Sequence, residues 1–228
     1  AEALGMSLPG GAIIPAPYKE RTDISFKTGK RIVEMVFENL TPSKIMTKEA
    51  FENAVYVASA IGASSNCPPH LTAIARHMGV DFNLDQWEKL GHSIPLLANC
   101  QPAGEHLMEG FFKAGGIPAI MKELIKDKKL NIKALTVTGK TIEENLNMKI
   151  DVNRDVIKSY ENPLSHNAGF IVMKSNFFSS AVMKTSVISS EFRERYLSNK
   201  DSLNIFEVKA VVFEGPEDYH ARINDDNL

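Results

Sequence analysis

The chain has 228 residues, 43% hydrophobic and 24% charged, with a formal net charge of −2. This is ordinary globular composition, and it leaves no basic footprint that would favour nucleic acid as a partner. No apolar run approaches the roughly 18 residues of a membrane span and nothing reads as a signal peptide, so a cytoplasmic protein without a membrane partner is expected.

In chain order, residues 1–6 read as the last turn of a helix, followed by a Gly/Pro-rich connector over 7–17. Ile32, Val33, Val36 and Leu40 recur at helical spacing and predict a helix over 28–40 with that face buried. Thr47 is placed to cap a helix running to Ile61, buried through Phe51, Ala54, Val55 and Ala58. It ends in the turn Gly62-Ala63-Ser64-Ser65-Asn66.

The next helix opens on Pro68-Pro69, where a missing N–H costs nothing. It buries Leu71, Ile74, Ala75 and Met78, and Gly79 is a ready left-handed cap. A short helix is predicted over 84–90, a short strand over 94–98, then helices over 107–114 and 118–126. Residues 134–137 read as a strand, and Thr141-Ile142-Glu143-Glu144 as a capping box that starts a helix. The polar stretch 150–164 reads as a domain boundary. Short buried strands are expected at 170–173, 181–183 and 210–213, with a helix over 191–197. The expected fold class is α/β: a helix-rich α/β domain over 1–160, then the start of a β-barrel-like, β-rich domain over 161–228. The helix-end character of residues 1–6 and the polar loop at 224–228 fit an internal piece of a longer protein.

Few motifs carry chemistry by themselves. Gly139-Lys140-Thr141 invites a phosphate-loop reading, but Ala134 stands where that motif needs a glycine, so a helix cap suffices. The turn Gly62-Ala63-Ser64-Ser65-Asn66-Cys67 is the best candidate site. Two hydroxyls and an amide precede a helix whose N–H groups favour an anion such as a carboxylate. The same Ser and Asn equally serve as ordinary caps of that helix, and spacing alone favours the cap. The two cysteines, Cys67 and Cys100, lie far apart with no Cys-x-x-Cys spacing, so reduced thiols are expected. A lone Cys67 holds no iron–sulfur cluster and reads as an inert thiol. His70 and His77 share a helix face without a second pair of ligands, so neither is assigned to a metal.

Several collinear stretches nevertheless resemble one family. Ala1-Glu2-Ala3-Leu4-Gly5-Met6-Ser7-Leu8-Pro9-Gly10, Ala50-Phe51-Glu52-Asn53-Ala54, the 62–66 turn and His70-Leu71-Thr72-Ala73-Ile74-Ala75-Arg76 are similar to the dihydroxy-acid/6-phosphogluconate dehydratases. So are Pro95-Leu96-Leu97-Ala98-Asn99, Ala114-Gly115-Gly116-Ile117-Pro118-Ala119 and Leu135-Thr136-Val137-Thr138-Gly139-Lys140-Thr141, in the family's order. Lys184-Thr185-Ser186-Val187-Ile188-Ser189, with Phe192-Arg193 after it, resembles the pentonate branch typified by L-arabinonate dehydratases.

The resemblance implies a hydro-lyase that converts a sugar acid to a 2-keto-3-deoxy acid. It implies an iron–sulfur cluster held by three cysteines, [2Fe–2S] ahead of [4Fe–4S], and Mg2+ beside the substrate carboxylate. A serine alkoxide is implied as base. It also implies a homo-oligomer, dimer or tetramer, acting on a small-molecule substrate. The family's Cys-Asp-Lys and Gly-Arg-x-Ser-Gly motifs are absent from these residues, so the cofactor ligands and the base are expected outside them. Of the residues present, Ser64, Ser65 and Asn66 are expected in or beside the substrate site; no residue is assigned as catalytic or as a metal ligand. Two other readings stand beside this one: a dihydroxy-acid dehydratase of branched-chain amino-acid biosynthesis, and a truncated, inactive member with a binding or assembly role.

Overall fold

The computed structural model describes residues 1–197 and 209–225. Helices α1 (Lys19–Phe37), α2 (Pro42–Ile45), α3 (Lys48–Ala60) and α4 (Cys67–His77) come first. Then follow α5 (Leu84–Gly91), α6 (Met108–Lys113), α7 (Gly116–Lys126) and α8 (Ile142–Leu146). An antiparallel hairpin of β1 (Phe170–Met173) and β2 (Ala181–Lys184) leads into a 3-10 turn, Thr185–Val187. All of these lie in the first of two compact units, Ala1–Val187; the second is Ile188–Leu228.

Helix α3 organises the first unit because it is apolar nearly all round, the signature of a helix buried on every side. Val57 and Ala60 face one core with Leu97, Phe111, Ile120 and Leu124. Phe51, Ala54, Val55 and Ala58 face another with Ala75, Phe82, Trp87 and Phe170. In that second core the rings form a chain: Phe51–Phe82 at 5.4 Å, Phe82–Trp87 at 6.4 Å and Trp87–Phe170 at 5.2 Å and 88°. Edge-to-face contacts of this kind add to what burial of the rings already contributes. The hairpin is thereby anchored on α5, and the approach is close. A Cβ on Gly169 would stand 2.0 Å from the Gly91 carbonyl oxygen, so only glycine fits where β1 begins.

The helices predicted from apolar spacing are present, and Thr141 and Glu144 form the expected capping box of α8. Gly79 has the left-handed φ of +71° at the end of α4. A second box, Asn83 with Gln86, starts α5 and was not anticipated. Several expectations need correction; in α4, Ala75 is buried as expected but Ile74 is exposed. Helix α1 begins at Lys19, and its Ile32, Val33 and Val36 are exposed; Met35 is the buried residue of the helix. Residues 94–98 are extended and buried but form isolated bridges, because two of their amides donate to the Ala60 carbonyl at the end of α3. Residues 134–137 close into a turn in which the Val137 N–H donates to the Gly5 carbonyl and Thr136 to that of Lys140. Residues 210–213 form no strand and are largely exposed.

Among the described residues the sheet is the two-stranded hairpin alone. The helix-rich α/β character is therefore observed, and the β-barrel part of the expectation has no counterpart in them. In the second unit, α9 (Ser190–Phe192) runs into a π-helical turn, Arg193–Leu197, where a helix had been expected. Further on, α10 (Pro216–Arg222) places Tyr219 against Phe213 at 5.2 Å and Arg222 over the Phe213 ring.

Candidate functional site

The turn after α3 is fixed by its backbone. The Ala63 N–H donates to the Ala58 carbonyl (2.9 Å) and the Gly62 N–H to Ser59 (3.1 Å), around a left-handed Gly62 at φ +58°. This is the paired hydrogen-bond pattern of a glycine-terminated helix. The turn is also tight: a Cβ on Gly62 would meet Leu96 Cδ1 at 3.1 Å and Ser186 Oγ at 3.2 Å. Ser64 Oγ then accepts from the Asn66 N–H (3.2 Å), and the Cys67 N–H donates to the Ser64 carbonyl (2.9 Å). Asn66 occupies the cap position of α4, but its side chain makes no capping hydrogen bond. So Ser64 orders the turn, and Ser64, Ser65 and Asn66 are all exposed.

Beside this turn lies a cavity of about 590 Å³. Gly62, Ala63, Ser64 and Ser65 form one wall, Ala98, Cys100, Gln101 and Pro102 a second, and Met108 and Phe111 of α6 a third; Lys184 and Val187 complete it. Its size and its largely apolar lining with a few polar groups are those of a small-molecule site. Ser64 and Ser65 therefore line the cavity. Asn66 flanks the turn without lining it.

The second wall is built by Asn99. Its Oδ1 accepts from the Glu105 N–H (2.9 Å), while Nδ2 donates to Glu105 Oε2 (3.3 Å) and to the Asp155 carbonyl (3.2 Å). Reciprocal backbone hydrogen bonds, Gln101 N–H to the His106 carbonyl and His106 N–H to that of Asn99, close the loop, which contains a cis Gln101-Pro102 bond. Within this wall, the buried Cys100 sulfur lies 3.4 Å from Met108 Sδ. Burial pushes its thiol pKa up, with a smaller opposing effect from the Gln101 N–H. Burial likewise raises Cys67, which is half-buried in the core next to the turn. Neither thiol is held as a ready thiolate.

Lys184 is the residue that reasoning from local motifs missed; it had been noted only within a stretch resembling one branch of the family. It stands opposite Phe170 in the hairpin register, half-buried, and burial lowers its pKa. Just beyond it, Thr185 Oγ1 donates to the Gly169 carbonyl (2.6 Å). Ser186 Oγ is buried with no hydrogen-bond partner among the described residues.

Among the described residues no group of three or more His, Cys, Asp or Glu side chains is placed to hold a metal ion. The glycine-lysine-threonine turn is equally occupied: the Gly139 N–H donates to the Thr136 carbonyl, Thr141 caps α8, and Arg31 reaches the Val137 carbonyl (2.6 Å). No helix among the described residues is long and apolar enough to cross a membrane.

Residues 1–145 match the family described as dihydroxy-acid/6-phosphogluconate dehydratase N-terminal. A D-xylonate dehydratase of Caulobacter vibrioides is 50% identical over 228 residues, all of this chain and 38% of that protein. An L-arabinonate dehydratase of Rhizobium leguminosarum is 43% identical over 229 residues, again 38% of its length. A dihydroxy-acid dehydratase of Acetivibrio thermocellus is 39% identical over 224 residues, 39% of its length. The chain therefore spans well under half of the length of these relatives.

Proposed function

From a chain that belongs to the dihydroxy-acid/6-phosphogluconate dehydratase family, we propose that the protein it forms part of is a hydro-lyase that dehydrates a sugar acid of the pentonate type. The C2–H and C3–OH bonds break, water leaves, and the resulting enol becomes a 2-keto-3-deoxy acid. The observation that carries this reading is the 50% identity along all 228 residues to a protein named for D-xylonate. The identity to the dihydroxy-acid dehydratase of Acetivibrio thermocellus is lower, 39% over 98% of the chain.

The cavity supports the same reading. Hydroxyls of Ser64 and Ser65 beside a lysine, over an apolar floor, suit a molecule that carries several hydroxyls and one negative charge. In the proposal Ser64 and Ser65 bind and orient substrate hydroxyls, and Asn66 stands adjacent. An iron–sulfur cluster and Mg2+, supplying Lewis acidity when bound, belong to the proposal as cofactors held by other residues of the intact protein. A cytoplasmic location and homo-oligomeric assembly are part of the same proposal.

The test is to incubate the intact protein with D-xylonate and with L-arabinonate and follow 2-keto-3-deoxy acid. Formation from either is expected. Keto acid from a branched-chain dihydroxy acid alone would move the assignment to that branch, and none from any substrate would favour a non-catalytic member.

A further inference from the structure

The loop over 99–106 is held from inside. Asn99 is buried and its amide is committed at both ends, accepting from the Glu105 N–H and donating to Glu105 Oε2 and the Asp155 carbonyl. Gly104 folds back against it so closely that a Cβ there would stand 2.4 Å from Asn99 Oδ1 and 2.5 Å from the Cys100 nitrogen. Only glycine allows that approach. Between these two fixed points lies Gln101, whose N–H donates to the His106 carbonyl (2.8 Å). The loop therefore presents Gln101 at a set place in the wall of the cavity of about 590 Å³. Its side chain is exposed and hydrogen-bonds to nothing among the described residues.

Gln101 carries the one carboxamide among the described residues that line the cavity. A carboxamide sets a carbonyl acceptor beside N–H donors. Hydroxyls on adjacent carbons both donate and accept, so a vicinal diol can meet an amide with two hydrogen bonds side by side. From another wall, Ser64 and Ser65 add hydroxyls of the same versatility. The reacting carbons of a sugar acid, C2 and C3, need groups that take up a proton and draw off a hydroxyl. No carboxylate or imidazole is among the described residues lining the cavity. Its uncharged donors and acceptors suit the part of the molecule that does not react. In a pentonate that part is the C4–C5 diol; in a branched-chain dihydroxy acid it is alkyl and offers an amide nothing.

We infer that Gln101 is a specificity-determining residue: its amide binds the C4 and C5 hydroxyls of a pentonate and so favours polyhydroxy acids over acids with an alkyl tail. The inference rests on the dehydratase reading for the class of substrate, and on the geometry of the loop for the residue that selects it.

The test removes each side of the contact in turn, on the intact protein. D-xylonate is compared with its 4,5-dideoxy analogue, which keeps the carboxylate and the reacting carbons, and wild type with Gln101→Leu, which keeps the bulk of the side chain and removes its amide. Affinities are measured by calorimetry and kcat/KM by keto-acid formation. Wild type is expected to prefer xylonate over the analogue by about tenfold, the worth of one or two neutral hydrogen bonds. Gln101→Leu should bind xylonate about tenfold more weakly and the analogue within about twofold of wild type, so that the preference disappears. Damage to the fold would lower both ligands together and leave the ratio where it was. A preference that survives in the variant, or a wild type with none, overturns the inference. If Gln101→Leu melts below the assay temperature, Gln101→Ala is judged by the same ratio. Loss of the preference in a protein that forms no keto acid from either ligand would sink the dehydratase reading and leave the Gln101 assignment standing. Turnover of xylonate with an unchanged ratio in the variant would do the reverse.

Discussion

Gly62 and Ser186 are joined by contact across 124 residues of sequence: the space where a Gly62 Cβ would sit is only 3.2 Å from Ser186 Oγ. The end of α3 and the turn after β2 are therefore fitted to each other, and the cavity takes its shape where they meet. A glycine at 62 leaves that space to the Ser186 hydroxyl and the Leu96 methyl.

Gly62→Ala is predicted to destabilise the protein by about 1–2 kcal/mol through its left-handed backbone alone. The new methyl also presses on Leu96 at 3.1 Å and on Ser186. Chemical denaturation should show the loss, and turnover of a pentonate should fall with a raised KM. Wild-type stability and KM in the variant would mean that the turn relaxes away from the cavity.

The aromatic chain that mounts the hairpin gives a second prediction. Trp87 is fully buried between Phe82 and Phe170, so Trp87→Ala should cost about 3–5 kcal/mol. Because Phe170 is opposite Lys184, the hairpin should loosen before the rest of the first unit opens. Hydrogen exchange at Val172 and Val182 should report this as faster exchange than in α7. Equal acceleration in both places would contradict it.

Much of this architecture was legible in the sequence, and the reasons are local. Helix α3 was readable because its apolar residues lie within one stretch, though Thr47 at its cap position makes no side-chain capping hydrogen bond, and the Thr141–Glu144 box because both partners lie within four residues. Asn83 and Gln86 form an equally local box that could have been read from the same signal. What failed was long-range. The spacing of Ile32, Val33 and Val36 specifies a stripe on α1 but not what covers it, and in these residues nothing does. Residues 94–98 carry a strand's composition, yet their partners are a helix end and two loops. Of the site, the turn with Ser64 and Ser65 was visible as a Gly-rich break before Pro68-Pro69. Lys184 came to it only through the hairpin register, which no local pattern encodes.

Glu123 supplies a pH-dependent prediction. Its side chain is 3% exposed and is hydrogen-bonded by Arg154 (2.8 Å), Lys126 (2.9 Å) and the Tyr160 N–H (3.2 Å). Burial pushes its pKa up, but these partners outweigh it and hold the carboxyl below the ordinary 4.5. A depressed folded pKa means that the stabilisation is complete above the unfolded value and is lost as pH falls through the folded one. Melting temperature should therefore drop on acidification below about pH 4.5, and Glu123→Gln should lower stability at neutral pH while flattening that acid limb. An unchanged acid limb in the variant would assign the pH dependence to other carboxylates.

Where a sugar acid rests in the intact protein is tested most directly by a crystal structure with a bound pentonate. Ligand density is predicted in the cavity bounded by Ser64, Ser65, Gln101 and Lys184. A pentonate seated elsewhere, with this cavity holding only solvent, would contradict the site.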